Sequence, residues 1–256
     1  MSRKPLDRSP RGELFVGWAA PSDPLRRGVL LGGLGLTISA GGLAALAATM
    51  RAPPGPGGWD ASATRDWRGW LSVDPYPTLS WRDASGRDHA ALLGCPDKCG
   101  VAAQVQQFAG QGVSVRGSLI SRGGLEMIAV ADEAVWIRPA PDAPATLAPP
   151  GQPGRQVVLE GELMDAKCWL GAMRPGEGLT HKSCAILCVR MGLPLLFVAG
   201  APGGPRRALV ATDAAGRPLG EDILPFFADP VRVTGLAADG PGWPRLAIAS
   251  SAVVRL

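Results

Sequence analysis

Residues 113–117 read VSVRG and residues 231–235 read VRVTG, the same pattern at an offset of 118 positions. The match extends in both directions. Seventeen residues after each final glycine stands the same pair, Ala134-Val135 and Ala252-Val253. Between them, Ile128 and Val130 answer Leu246 and Ile248, and the turn residue Gly124 answers Gly242. Backward at the same offset, Phe108 answers Phe226, Val105 answers Ile223 and Val101 answers Leu219. Earlier still, Gly69-Trp70-Leu71 resembles Gly161-Glu162-Leu163, and Leu92-Leu93 resembles Leu195-Leu196. A run of coincidences at one spacing marks an internal duplication.

Each copy reads as two strands, a short helix (Val101 to Phe108; Leu219 to Phe227), and then two or more strands joined by a Gly-rich turn. Period-two alternation is clearest in Val113 to Ile120 and Val231 to Leu236. About five short strands with one helix between the third and fourth is the OB-fold layout. Gly110 to Val130 also resembles the late strands of other small bacterial OB-like domains. The expected fold is therefore mainly β, with two tandem OB-like barrels over 64–138 and 155–256. Between them, residues 139–154 hold six prolines and are expected to be a stiff, extended linker. The 35 glycines and 25 prolines, against only 19% charged residues, agree with short strands and many turns.

The copies differ where chemistry concentrates. Residues 161–198, GELMDAKCWLGAMRPGEGLTHKSCAILCVRMGLPLLFV, hold three of the five cysteines and one of the two histidines. The strand-like run Val158 to Leu163 would deliver Asp165 and Cys168 at its end. A helix beginning near Thr180, a plausible N-cap, would place His181, Cys184 and Cys188 on one stripe, and Gly192 before Pro194 would end it. Three sulfurs and an imidazole would then converge, with Asp165 orienting His181 from behind. Thiolate-rich ligation selects zinc, copper or an iron–sulfur cluster. The competing reading is a disulfide from Cys168 to Cys184 or Cys188 with a spare thiol, since chains outside the cytoplasm usually spend cysteines that way. A bridge between Cys184 and Cys188 fits poorly, because i, i+4 positions on a helix miss disulfide distances. Cys95-Pro96-Asp97-Lys98-Cys99 sits at a turn and is expected to close a small disulfide loop, with a dithiol redox pair as the alternative. His89 could join these two cysteines or stand alone on a strand.

The string Asp165-x-x-Cys168, Pro175-Gly176-Glu177-Gly178, His181-x-x-Cys184-Ala185-x-x-Cys188, Gly192-x-Pro194 resembles a segment of uncharacterised bacterial exported or membrane-anchored proteins. The resemblance covers about 35 residues. It carries no activity, but it implies that the acid, the histidine and the cysteines form one unit.

The amino-terminal region suggests a location. Residues 1–27 are broken by four prolines and rich in arginine, and are expected to be a disordered cytoplasmic tail. Gly28 to Met50 follows with 23 residues and no charge, the length of a transmembrane helix or signal anchor. Arginines on its amino side place that side in the cytoplasm. The approach Pro24-Leu25-Arg26-Arg27-Gly28 resembles a twin-arginine export signal. Residues 51–63 read as a linker. The expectation is a single-pass inner-membrane protein whose barrels face the periplasm beside a membrane-bound or periplasmic protein partner. The net charge of +4 sits largely in the tail, and one Tyr with five Phe leaves few rings for stacking bases, so no nucleic-acid partner is expected. Ser-His-Asp, P-loop and GxGxxG arrangements are absent, and the reading leans away from an enzyme. It favours a metal or thiol-redox centre serving electron transfer or metal handling. A non-enzymatic accessory subunit braced by disulfides is the alternative.

Overall fold

Trp67, Gly69 and Leu71 alternate with exposed Asp66 and Arg68, so strand β2 (Arg65–Ser72) buries one face and offers the other to solvent. The same period shapes most of the architecture. The computed structural model describes residues 22–49, 57–143, 154–201, 204–239 and 242–256. The chain divides into two units, Met1–Pro53 and Pro54–Leu256.

In the second unit, β1 (Gly58–Trp59), β2, β3 (Thr78–Arg82), β4 (Asp88–Gly94), β5 (Gln111–Arg122), β6 (Leu125–Val130) and β7 (Ile137–Pro139) form one sheet. Strand β5 pairs with β2 along Gln111–Gly117 and with β6 along Gly117–Arg122. The pairings β2–β3–β4–β6–β5–β2 therefore run as a continuous ring, with β4 parallel to β6. The remaining strands, β8 (Arg155–Asp165), β9 (Leu195–Ala199), β10 (Arg207–Thr212), β11 (Val231–Ala238) and β12 (Arg245–Arg255), close into a barrel. Its circuit is β8–β9–β10–β12–β11–β8, and its one parallel pair, β10 with β12, stands where β4 meets β6. A helical segment bridges the third and fourth strands of each ring: α2 (Ala102–Val105) with the 3₁₀ turn Gln106–Phe108 in the first, and the 3₁₀ turn Glu221–Phe226 in the second. Val105 and Ile223, 118 residues apart, are both fully buried.

The duplication extends to backbone registry. Gly69 pairs with Val113 and Gly161 with Val231. Gly117 pairs with Val130, and Gly235 with Ile248. The repeated glycines have one cause: a Cβ at Gly117 would lie 2.4 Å from the Ala129 carbonyl oxygen, and at Gly235 the same distance from that of Ala247. No larger residue fits either position without moving the neighbouring strand. One part of the expected alignment is corrected. Leu92 and Leu93 lie on β4, whose counterpart is β10, because Leu93 faces Ile128 as Ala211 faces Leu246. Leu195 and Leu196 instead begin β9, the counterpart of β3. Both pairs are buried apolar runs, and such runs are interchangeable in sequence but not in topology.

The two rings also share a core. Tyr76, Leu92, Ile120 and Met127 of the first pack in one cluster with Leu163, Cys168, Trp169, Leu170 and Phe197 of the second. Trp243 Nε1 donates to the Glu126 carbonyl at 3.1 Å, and the Tyr76 hydroxyl, bonded to the Leu195 backbone, has its pKa pushed up to about 12 by burial. Of the expected linker, residues 144–153 lie outside the described residues.

In the first unit, α1 (Asp23–Thr49) covers the uncharged stretch. The expected membrane span is not reproduced: among the described residues, no helix is long and apolar enough to cross a membrane. Six glycines dilute the apolar side chains of Gly28–Met50, and Arg26 and Arg27 fall within the helix itself. Residues 1–21 of the expected tail and residues 51–56 of the linker lie outside the described residues, and residues 23–27 of the tail are helical.

His89 lies away from the cysteines of its barrel. Its ring stacks on Trp81 at 4.9 Å between centroids, with Nδ1 3.0 Å from Glu126 and Nε2 3.1 Å from Asp83. Burial alone would depress this imidazole, but the hydrogen bonds to Asp83 and Glu126 outweigh it and hold the pKa above its ordinary value. A raised folded-state pKa contributes stability below about pH 6.5, the unfolded value, which is lost as pH rises through the folded one. Thermal unfolding at pH 6 and pH 8 should therefore show the wild type losing stability upward across that window. In His89→Gln the fall should be smaller; an equal fall in both would remove His89 as its source.

Candidate metal centre

The Cys/His segment is an insert between the first two strands of the second barrel, where the first barrel spends only residues 73–77. Strand β8 ends at Asp165, whose Oδ1 accepts the Cys168 N–H at 2.8 Å and whose Oδ2 lies 3.2 Å from His181 Nε2. That one fully buried carboxylate starts the turn and anchors the histidine. A π-helical turn, Cys168–Ala172, follows. Gly171 has φ of 138° there, and a Cβ at that position would meet Gly58 N at 2.6 Å. The chain returns through a 3₁₀ turn, Leu179–His181, into α3 (Lys182–Arg190). Gly192, at φ 91°, ends the helix as expected, and Leu193 N–H closes on the Cys188 carbonyl at 3.0 Å. Thr180 does not cap α3. The 3₁₀ turn shifts the cap to His181, which makes no side-chain cap bond because its ring is turned to Asp165.

Cys168, Cys184 and Cys188 are free thiols, and their sulfurs lie within 4.8 Å of one another. Ligand atoms of Asp165, Cys168 and His181 form a second group within the same distance. The five expected residues are thus gathered as two overlapping triads sharing Cys168, not as one sphere of three sulfurs and a nitrogen. Thiolates around a tetrahedral ion at about 2.3 Å stand about 3.8 Å apart, so the three sulfurs fit a thiophilic metal with little movement. Cys95 and Cys99 form the expected disulfide.

The sulfurs are electrically unequal. The hydrogen bond between Cys168 and Cys188, joined by burial, pushes Cys168 far above the ordinary thiol range, and the same bond draws Cys188 below its ordinary value against the opposing effect of burial. Burial also pushes Cys184 up. Lys98 hydrogen-bonds Cys184, which raises the lysine above its usual value. Cys188 is therefore the sulfur best prepared to ionise.

Lys98 and Lys167 stand beside the thiols and were missed by spacing arguments. Lys98 belongs to the disulfide loop of the first barrel, and the loop reaches the thiols of the second. Lys167 returns the contact. Only 4% exposed, it extends Nζ to the carbonyls of Cys95 (2.9 Å), Pro96 and Asp97 (2.7 Å), and burial lowers its pKa. Gly100 N–H donates to the Met191 carbonyl at 2.8 Å, and Gly100 packs directly on the Gly192 backbone. The sequence signal was modest: a lysine adjoins a cysteine in both Lys98-Cys99 and Lys167-Cys168.

Set against known proteins, the chain matches no family model, no curated protein and no solved structure. Assignment therefore rests on geometry.

Replacing Lys167 with Met keeps the apolar stem but leaves the loop carbonyls without their donor. An unsatisfied buried polar group costs about 1–3 kcal/mol. Lys167→Met should therefore lower thermal stability clearly, whereas Lys182→Met, at a less buried salt bridge whose Asp229 keeps Arg255 as a partner, should change it less. Equal effects would show that the clamp adds nothing beyond a surface ion pair.

Proposed function

We propose that this protein holds a thiophilic metal ion on Cys168, Cys184 and Cys188, with His181, positioned by Asp165, beside the centre. We further propose that the centre serves electron transfer or metal handling for a protein partner. The observation that carries the reading is the group of three free sulfurs within 4.8 Å of one another, two of them buried. Three adjacent free thiols in a chain that also forms a disulfide are disposed to oxidise unless a ligand occupies them. A bound ion would draw off their protons and satisfy all three, and the neighbouring ammonium groups of Lys98 and Lys167 would offset the resulting negative charge. Cys184 is the most accessible of the three, and the insert around it exposes Met173, Leu179, Leu187 and Met191. Those apolar side chains support a partner docking near the centre. The chain's own residues bind and orient here.

The accessory-subunit reading keeps one supporting observation, the Cys95–Cys99 disulfide, which braces a loop and needs no chemistry. That disulfide also supports an oxidising compartment. Membrane attachment is supported by the uncharged stretch Gly28–Met50 behind Arg26 and Arg27, although the helix there falls short of a span among the described residues.

Two experiments test these readings. Full-length protein purified without added metal should carry close to one equivalent of zinc, copper or iron by elemental analysis, and Cys184→Ser should lose most of it and melt at lower temperature. Structural zinc binding contributes on the order of 10 kcal/mol in small peptides, so the loss should exceed that of an ordinary surface thiol. Metal-free wild type with three titratable thiols would end the metal reading. For location, a reporter fused after Leu256 should be active only when exported, and activity in the cytoplasm would overturn the periplasmic assignment.

A further inference from the structure

Beside Trp169, a cleft of about 420 Å³ opens between the two barrels. Arg122, Leu125, Trp169, Arg206 and Arg207 line it, together with two prolines, and among the described residues no acidic side chain does. A volume of this order suits a small organic ligand. The arginines differ in kind from surface cations. The Arg206 side chain is 5% exposed and that of Arg122 14%. Arg206 is held from behind: Nη1 donates to Glu177 at 2.9 Å, and Nη2 approaches Glu162 at 3.3 Å. Its Nε has no hydrogen-bond partner, and its Nη2 makes only that unaligned approach. Trp169 Nε1 is likewise buried and unpaired. Arg122 lies over the Trp169 ring at 4.3 Å and donates to the Trp169 carbonyl at 2.8 Å, fixing one wall.

Buried donors in folded proteins are almost always satisfied, and a buried guanidinium with idle N–H groups is an acceptor site awaiting its acceptor. The fork of an arginine matches the two oxygens of a carboxylate or phosphate. Glu162 and Glu177 offset charge from behind, Glu177 also approaching Arg122 at 3.6 Å, and half-exposed Arg207 at the mouth pairs with Asp239. Leu125, Pro205 and Pro244 supply an apolar floor.

We propose that this cleft binds a small organic anion, its carboxylate or phosphate head on Arg206 and Trp169 Nε1 and its apolar body on Leu125 and the two prolines. The site is independent of the metal reading and needs no ion at the cysteines. It nevertheless adjoins them through the peptide bond between Cys168 and Trp169, so occupancy would be felt by the thiol cluster.

Isothermal titration of the full chain in mild detergent tests this with three probes: benzoate, phenyl phosphate and phenol. At least one of the two anions should bind saturably at one site per chain, and which one does so distinguishes a carboxylate from a phosphate head. Neutral phenol should not bind. Arg206→Gln should weaken the anion at least tenfold. Should that buried variant fail to fold, Arg207→Gln, at the half-exposed mouth, should weaken it severalfold and steepen its salt dependence less than wild type. Absence of saturable binding by both anions, equal binding of phenol, or unchanged affinity in the folded arginine variants would each overturn the proposal.

Discussion

A single buried ammonium group sets the relation between the two barrels. Lys167 follows the last residue of a barrel strand by only two positions, so its stem leaves the second barrel in a fixed direction. Its head is spent on carbonyls of the Cys95–Cys99 loop, which belongs to the first. Taking a lysine out of water is costly, and only a set of well-placed acceptors offsets that cost. The disulfide supplies the set: by closing a loop of five residues it holds consecutive carbonyls in a tight curve that one Nζ can reach. The same loop carries Lys98 back to Cys184. Clamp and site are therefore one construction, and the geometry of the sulfurs depends on contacts made outside their own barrel.

Asp165 has a comparable economy within the insert. One carboxylate oxygen holds a backbone N–H and the other faces the imidazole, so the strand end, the first turn and the returning helix share a common reference point. His181 is thereby held in a fixed position, with a ring nitrogen within 4.8 Å of the Cys168 sulfur.

Much of the barrel architecture was legible because its cause is local and repeated. Gly117 and Gly235 mark the same close approach of a neighbouring carbonyl, so the duplication could be read as backbone geometry and not merely as similar letters. The apolar pairs were less informative. Leu92-Leu93 and Leu195-Leu196 are alike in sequence because both strands are buried, and only hydrogen-bond registry assigns them to different places in the ring. In the site, the acid, histidine and cysteines were recognisable from chemistry and spacing. Arg206 was not, since its acidic partners stand about 30 to 45 positions away in sequence, and Lys98 and Lys167 were not, since a lysine on an unfolded chain gives no sign that its partner lies in the other barrel. The packing of the two barrels on a shared core was hidden for the same reason. A proline-rich segment between repeats suggests separation, whereas Trp169 and Leu170 join Ile120 and Met127 in one cluster.

Ring closure has a consequence for recognition. Among the described residues, the five-strand circuits in both barrels return to their starting strands, and only the short β1 and β7 are attached outside them. Neither circuit therefore offers a long free edge onto which an extended peptide could add as a further strand. A partner that engages this protein must read side chains, and the insert is where unusual ones are displayed.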